Sequence, residues 1–471
     1  MVRRRLEDLS NEYVGASFGD ARLNRRLVDL TRRVGGAPEK SFPAAMEGDA
    51  DLEGTYRFLN NERVTPEKVL APHRRMTLGR MSGTEVVVAH DTTEFNFGES
   101  SRDDLGRVGR GKSHGFYAHV ALAVGRKDGD PLGVLGHLVH ERQGGKGRRG
   151  HEALQSAEDN EGLRWAELVA LVENVVGPGV VIHLMDREAD SYALFSALVA
   201  QAARFVIRMV GDKRRTTDTP SKTVGEVLAD KPILIEREVP ISARGRSKLP
   251  SYRKHHPPRN ARVAHLHVCA APVTIVRPDS SSHAPAPTLA LNVVRIFEPN
   301  PPEGETAVEW RLWTTEPIDS PEQVLAVVDA YRRRWVIEEF FKALKSGCAI
   351  EERQLESSHG LQNTLAIFMP IAWRLLRLRV LARTDDDQPA TKVFIPTMIT
   401  CLRFALKKRG RPPLPSTPTV KDALLGVAGL GGHLKNNGDP GWIVIGRGFD
   451  TLLSLVDGFE MARDLGRSDE S

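Results

Sequence analysis

The 471-residue sequence is poor in cysteine: Cys269, Cys348 and Cys401 are far apart and form no Cys-x-x-Cys pair. That excludes a disulfide framework and a cysteine-rich zinc site, and it fits a reducing compartment. No uninterrupted apolar run reaches about 18 residues, so no membrane span is expected. The start, Met1-Val-Arg-Arg-Arg-Leu-Glu-Asp8, lacks the apolar run of a signal peptide, which makes the cytoplasm the expected location. Gln143-Gly-Gly-Lys-Gly-Arg-Arg-Gly150 is glycine-rich and basic, yet no Ser or Thr follows its lysine, so it is not a nucleotide-binding phosphate loop. Between Val239 and Pro278 there is no acidic residue, while Arg244, Arg246, Lys248, Arg253, Lys254, Arg259 and Arg262 are all basic. Internal repeats are absent.

What is present describes a globular chain, 40% hydrophobic and 27% charged, long enough for two or three domains. The formal charge is only +5, but the pI is about 9.1 and the basic residues cluster, which suits a polyanionic partner. Residues 1 to about 65 read as a small helical module. Ala21–Arg33 sets Leu23, Leu27 and Leu30 on one face, with Arg22, Arg25, Arg26, Arg32 and Arg33 elsewhere, and Asp51–Asn60 is a second helical segment. Buried strands are expected at Thr84–Thr93, Ala118–Val124, Leu132–Val139, Gly179–Asp186 and Arg204–Arg208, with helices at Gly162–Val175 and Tyr192–Ala200. Asp91 and Asp186 therefore share one position, the carboxyl end of an apolar strand, where sheet proteins commonly build their sites. Either aspartate alone would pass for a turn former or a helix cap.

From about Gly211 to Glu309 the strand-like segments Ile233–Ile241, Val263–Val276 and Thr288–Phe297 alternate with Pro- and Ser-rich turns, which suggests a mostly β insertion. Ser320-Pro321-Glu322-Gln323 has the pattern of an N-cap, a first-turn proline and a capping-box glutamine, and Gly347 is a plausible stop. On a uniform helix over Pro321–Ser346, Val336, Ile337, Phe340, Ala343 and Leu344 face a core. Tyr331, Arg334, Glu338 and Lys345 then fall within roughly 60° of one another, with Glu339 about 100° further round. Downstream, Leu365–Ala382 is apolar-periodic with a kink expected at Pro370, and Lys407–Pro415 reads as a linker or exposed basic turn. Asp450 is expected to cap a last helix whose stripe, Leu452, Leu453, Leu455, Val456 and Phe459, must be buried in its own domain or against a partner.

Tyr331-x2-Arg334-x3-Glu338-x6-Lys345, with Glu351-Glu352-Arg353-Gln354 shortly after, resembles the Tyr-Arg-Glu-Lys signature of bacterial cut-and-paste transposases of the insertion-sequence-four family. Asp91-Thr92-Thr93 and Asp186-Arg187-Glu188-Ala189-Asp190 resemble that family's two aspartate motifs, and Glu53-Gly54-Thr55-Tyr56-Arg57-Phe58 resembles the wording of its DNA-binding domain. The resemblance implies an α/β fold with a ribonuclease-H-like catalytic core over residues 66–370, carrying the β-rich insertion at about 211–309. A helical end-binding domain over 1–65 and a helical dimerisation domain over 371–471 would flank it. Asp91, Asp186 and Glu338 would be the catalytic, metal-binding triad, with Mg2+ as cofactor and Mn2+ able to substitute. Tyr331, Arg334, Lys345, Arg208, Arg25 and Arg26 would contact DNA. Trp310 matches in placement a family tryptophan that stacks on a flipped base, and Trp313 competes with it. The implied partners are double-stranded DNA, both transposon ends and target, and a second copy of the chain; the expected setting is the bacterial nucleoid. The implied products are a 3′-hydroxyl, then a hairpin end, then insertion into target DNA.

The residue types suit that chemistry. Phosphodiester cleavage needs an activated water and neutralisation of the scissile phosphate, and two hard cations about 3.5–4 Å apart, held by carboxylates, do both. No histidine or cysteine constellation competes for a softer metal. Arg334 and Lys345 suit phosphate contact, and Tyr331 can donate to it. The alternatives are an inactive end-binding repressor descended from a transposase, and a general nuclease of similar fold.

Overall fold

The computed structural model describes residues 9–36, 38–99, 102, 104–109, 112–141, 161–218, 223–245, 258–282, 284–383, 388–434 and 440–468. The glycine-rich loop at 143–150, and Arg246, Lys248, Arg253 and Lys254 of the acid-free stretch, lie outside them. The strands are β1 (Val86–Asn96), β2 (Gly106–Arg107), β3 (His114–Gly125), β4 (Pro131–His140), β5 (Ile182–Met185), β6 (Arg204–Arg208), β7 (Ile235–Ile241), β8 (Arg262–Val276), β9 (Thr288–Phe297) and β10 (Glu309–Thr314). The helices used below are α1 (Ala21–Gly36), α2 (Asp49–Leu59), α3 (Pro66–Met81), α4 (Glu161–Val176), α5 (Tyr192–Ala200), α6 (Pro321–Arg332), α7 (Val336–Lys342), α8 (Ser358–Arg383), α9 (Pro396–Lys408), α10 (Val420–Leu430) and α11 (Trp442–Ser468).

Two compact units emerge, one drawn from Met1–Val86, Asp91–Gly147 and Trp335–Ser471, the other from Val87–His90 and Arg148–Arg334. Strand β1 runs through both. It pairs with β3, which carries β2 and β4, and it pairs in parallel with β5, which is parallel to β6. The order β4-β3-β1-β5-β6 is the sheet of a ribonuclease-H-like core.

In the second unit the insertion continues this sheet. Strands β6, β10, β9, β8 and β7 pair antiparallel in that order. The reason is alternation: Leu289, Leu291 and Val293 on β9, and Ala271, Val273 and Ile275 on β8, point into the same core as Phe195, Phe205 and Trp313. Of its acid-free residues, Arg262 pairs with buried Glu298, and Arg244 and Arg259 bridge each other's backbone.

In the first unit, Leu27, Leu30 and Val34 of α1 are buried, and Leu23 is half-buried. Helix α3, capped by Thr65 with Pro66 in its first turn, was not foreseen. Helix α8 continues through Pro370 without a break. The last helix starts at Trp442, not at Asp450, which lies inside it. Local signals favoured a later start because Gly446 and Gly448 weaken a helix. Packing requires Gly448 to stay small: a Cβ there would sit 1.8 Å from the Val427 carbonyl oxygen, and one on Gly431, just past α10, would sit 2.0 Å from that of Val444. Helices α10 and α11 thus meet backbone to backbone, and tertiary contact overrides propensity. The expected stripe divides: Leu452 and Val456 join a core with Phe394, Leu402, Leu424 and Phe449, whereas Leu455 and Phe459 stay exposed. Among the described residues no helix is long and apolar enough to cross a membrane.

Candidate active site

Asp186 follows the end of the short apolar strand β5, whereas Asp91, expected at a strand end, lies within β1, which continues past it through the half-buried Thr92, Thr93 and Glu94 to Asn96 because only its first half is apolar. Val87, Val88 and Ala89 of β1 are fully buried and pair with Ile182, His183 and Leu184 of β5. The strands are parallel, and Asp91 and Asp186 each follow two residues beyond the Ala89–Leu184 pair. At Asp91 one carboxylate oxygen accepts from the Thr92 amide at 2.8 Å, and at Asp186 one accepts from the Glu188 amide at 2.8 Å, which starts a short 3-10 turn. Further along that motif, Asp190 is half-buried with its carboxylate turned inward, and it takes Arg214 at 2.6 Å.

The second unit also holds a buried polar chain that was not expected from the sequence. His90 Nε2 is 2.8 Å from His183 Nδ1, and His183 Nε2 is 2.8 Å from Glu173 on α4. Glu173 also accepts from the Gly179 amide at 2.6 Å. Burial lowers the pKa of His183 although Glu173 opposes it, so the ring is neutral. Its single proton belongs on the nitrogen facing Glu173, leaving the other to accept from His90. The chain ties β1 to β5 through His90, next to Asp91 in the sequence, and His183, three residues before Asp186. Two histidines inside runs of valine and isoleucine were the signal available in the sequence.

The helix bearing the third carboxylate is not uniform. Ser320 and Gln323 form both halves of the expected capping box. After α6, however, Arg333–Trp335 tightens to a 3-10 turn, α7 follows, and Ala343–Gly347 widens to a π turn. Such changes of pitch shift every later side chain from its place on a regular wheel. The left-handed residue that ends the segment is Ala349 (φ 46°), not Gly347. Gly347 instead clears space: a Cβ there would lie 3.1 Å from Leu375.

The expected polar stripe is accordingly no solvated face, since Tyr331 and Arg334 are buried. In the second unit they belong to a compact cluster. The Tyr331 and Trp310 rings meet edge-on at 5.7 Å, the Arg208 guanidinium lies 5.2 Å over Trp310, and Arg208 donates to the Glu309 carbonyl at 2.8 Å. Burial lowers the pKa of Arg208 to about 10, with Arg187 and Arg334 adding repulsion and Tyr331 opposing. Burial raises Tyr331, against the pull of Arg334 and Arg208, and nearby Asp186 raises it further. Arginines gathered at this density around one phenol, beside an aspartate, suit an anion that would relieve their mutual repulsion. Trp313 is fully buried against Phe195, so of the two tryptophans Trp310 alone lies in this cluster.

In the first unit, Glu339 is taken up by cations: Lys342 at 2.7 Å, Arg379 at 3.4 Å and Arg383 at 3.7 Å. Burial would raise its pKa, and those cations outweigh it and hold it below the usual range. Glu338 is half-buried on α7. Lys345 lies 3.5 Å from Glu351 and 5.4 Å from the Phe95 ring, and Glu351 accepts from the Asn96 amide. In the N-terminal module Arg25 is exposed, but Arg26 is bound to Asp51 at 2.6 Å and lies against Gly54, where a Cβ would meet its guanidinium at 2.7 Å. Among the described residues no group of three or more His, Cys, Asp or Glu side chains is gathered as a ready metal site. Taken singly, the carboxylates of Asp91, Asp186 and Glu338 offer oxygen donors, the kind that hard cations take, and His90 and His183 are engaged with each other.

Comparison with known proteins bears on this arrangement. A family model for transposase DNA-binding domains matches residues 8–64, and one for the transposase DDE domain matches residues 82–369. A solved structure, the cryo-EM structure of the piggyBac transposase synaptic complex with hairpin DNA, aligns over 96% of this chain and 72% of its own, with 9% identity and a TM-score of 0.33. So slight a likeness fixes nothing further. The DDE match spans more than half of the sequence, from the strand of Asp91 past the helix of Glu338, and the chain belongs to the transposase DDE-domain family.

Proposed function

We propose that this chain is a cut-and-paste transposase of the insertion-sequence-four kind, which binds transposon ends, cleaves them through a hairpin intermediate and joins the 3′-hydroxyls to target DNA. The observation that supports the reading is the Arg208–Trp310–Tyr331–Arg334 cluster beside Asp186, on a chain whose β1–β5 register leaves Asp91 and Asp186 each two residues beyond the Ala89–Leu184 pair. Asp91, Asp186 and Glu338 would hold Mg2+, or Mn2+ in its place, and the bound ions would activate water and neutralise the scissile phosphate. Arg208, Arg334 and Lys345 would hold the backbone phosphates, with Tyr331 donating its hydroxyl proton to one of them. Arg25 would contact end DNA from α1. Arg26 would shape that helix through Asp51 and meet DNA only at its exposed edge. The end-binding domain would cover 1–65, the catalytic domain 66–370 and the dimerisation domain 371–471, in a cytoplasmic, nucleoid-associated protein.

A magnesium-dependent cleavage assay on end-containing duplex tests the reading. Binding without cutting in either Mg2+ or Mn2+ would identify a repressor instead.

Two further outcomes follow within this reading. Flipping a base costs a few kcal/mol of unstacking, and an aromatic platform returns about 1–3 kcal/mol. Trp310→Ala should therefore nick the first strand at the normal rate while the nicked species accumulates and little hairpin forms, as read on a denaturing gel. Equal loss of both steps, with a lowered Tm, would make Trp310 a packing residue. The exposed Leu455 and Phe459 are the part of α11 left for a second subunit. Truncating α11 would not test this, because Ile445, Phe449, Leu452 and Val456 belong to the subunit's own core. Phe459→Asp should bind single ends normally but sediment with end DNA as one subunit on one end, where the parent sediments as a two-subunit, two-end complex.

A further inference from the structure

The basic segment at Lys407–Pro415 falls outside both matched regions, and the chemistry above makes no use of it. Between Gln388 and Lys421 the chain has no acidic residue, yet it contains Lys392, Arg403, Lys407, Lys408, Arg409, Arg411 and Lys421. The next acid, Asp422, is consumed as the cap partner of Thr419, at 2.8 Å from its hydroxyl and 2.9 Å from its amide.

The fold turns this composition into one face. Helix α9 buries Met398, Ile399, Cys401, Leu402, Ala405 and Leu406 in the carboxyl-terminal core. Thr400, Arg403, Phe404, Lys407 and Lys408 remain, spread over roughly 140° of the helix surface at about 100° per residue, and all are exposed. Arg411 follows after the left-handed Gly410 (φ 61°). The arginines are braced without losing charge. Arg403 donates to the Pro415 carbonyl at 2.7 Å and to that of Ser416, and Arg409 donates to the Leu430 carbonyl at 2.9 Å. These acceptors are neutral. Among the described residues none of Arg403, Lys407, Lys408, Arg409 and Arg411 takes part in an ion pair, unlike Arg26, Arg33 and Arg57 of the N-terminal module, which are paired with Asp51, Glu47 and Glu53. Glu460 of α11 lies on the opposite, Cys401 side of the helix.

A folded helix that presents uncompensated cations at i, i+4 and i+5 (Arg403, Lys407 and Lys408), with Arg411 just past its end, suits an extended polyanion, and a regular row of phosphates fits such a row of guanidinium and ammonium groups. We propose that the exposed face of α9, with Arg403, Lys407, Lys408 and Arg411, is a second duplex-binding surface that holds the DNA backbone without regard to sequence. The inference rests on the transposase reading only for DNA being at hand; the surface itself lies outside the residues assigned to end recognition and cleavage. Lysines on a helix and arginines tied to carbonyls contact phosphates and carry no base readout, so random and end-containing duplex should feel the face equally.

The test compares the full chain with Lys407→Glu/Lys408→Glu and with Lys407→Gln/Lys408→Gln, using random-sequence duplex over a salt titration. Loss of two phosphate contacts should make the slope of log K against log salt shallower by about 1.8 and weaken binding roughly tenfold or more near 0.1 M salt, with the neutral pair giving the smaller effect. Both positions are exposed, so Tm should stay unchanged, which separates lost contact from lost fold. The same affinity and slope in parent and variants would overturn the proposal. So would unchanged duplex binding together with lost retention on phosphatidylserine vesicles, which would make the face a membrane contact. A parent that binds no duplex at all would sink the transposase reading first, so the two failures are distinguishable.

Discussion

Replacing Asp91, Asp186 or Glu338 by alanine should lower cleavage of end-containing duplex at least about a thousandfold while leaving end binding within about twofold. A carboxylate that holds a catalytic cation supports several kcal/mol of transition-state stabilisation, and each 1.36 kcal/mol is about tenfold in rate. Affinity should survive because it comes from the basic surface, which these substitutions leave in place. Glu339→Ala is the informative control. Its carboxylate is committed to Lys342, Arg379 and Arg383, so its loss should lower Tm and leave the cleavage rate of the folded protein near normal. A Glu338→Ala protein that cuts normally in Mg2+, with Glu339→Ala inactive at unchanged Tm, would reassign the third ligand.

Glu12→Ala should destabilise the first unit by about 3–5 kcal/mol, the usual consequence of leaving a buried charge without its partner. Glu12 receives Arg80 at 2.7 Å and His73 Nδ1 at 2.5 Å. Because His73 Nε2 accepts from the Val134 amide at 3.0 Å, Nδ1 must carry the proton that Glu12 accepts. Arg80 in turn lies 4.2 Å over the Trp373 ring, whose indole donates to the Pro131 carbonyl at 2.7 Å. One carboxylate therefore fastens the N-terminal segment to α3, β4 and α8.

Burial alone would raise the pKa of Glu12, but His73 and Arg80 overcome it and hold it at about 2 against an ordinary 4.5. A depressed carboxylate contributes its stability above the unfolded value and loses it as pH falls through the folded one. The unfolding free energies of the parent and Glu12→Gln should therefore differ by a constant amount above pH 4.5 and converge as pH falls toward 2. Burial also lowers His73 below 6.5 despite Glu12, so the parent should begin to lose stability on acidification below pH 6.5, before Glu12 itself titrates. Equilibrium urea unfolding across that range reads both effects. A difference that stays constant down to pH 2 would show that the carboxylate contributes through packing alone.

Much of the catalytic layout was legible in the residues because its signals are local. Runs such as Val86-Val-Val-Ala and Ile182-His-Leu-Met are too apolar for anything but buried strands, and Asp186 does follow the end of its strand, but β1 runs on through Asp91 to Asn96, so that aspartate ends the apolar run and not the strand. Ser320 and Gln323 form their capping box within one helical turn, so their spacing alone specified it. What tertiary structure decided depends on partners far away in the chain. Trp310 and Trp313 are indistinguishable in sequence, and Phe195, more than a hundred residues earlier, buries one of them while Arg208 and Tyr331 take the other. The 3-10 and π turns that break the expected uniform helix leave no local mark, and neither does the division of the last stripe into buried Leu452 and exposed Phe459. The start of α11 was misplaced because a glycine costs a helix about 1 kcal/mol locally, while only the fold reveals that the Val427 carbonyl leaves Gly448 no room for any larger residue. Composition along the chain likewise announced that 388–421 is basic, but only the packing of Leu402, Ala405 and Leu406 against the core turned the charge outward onto one face.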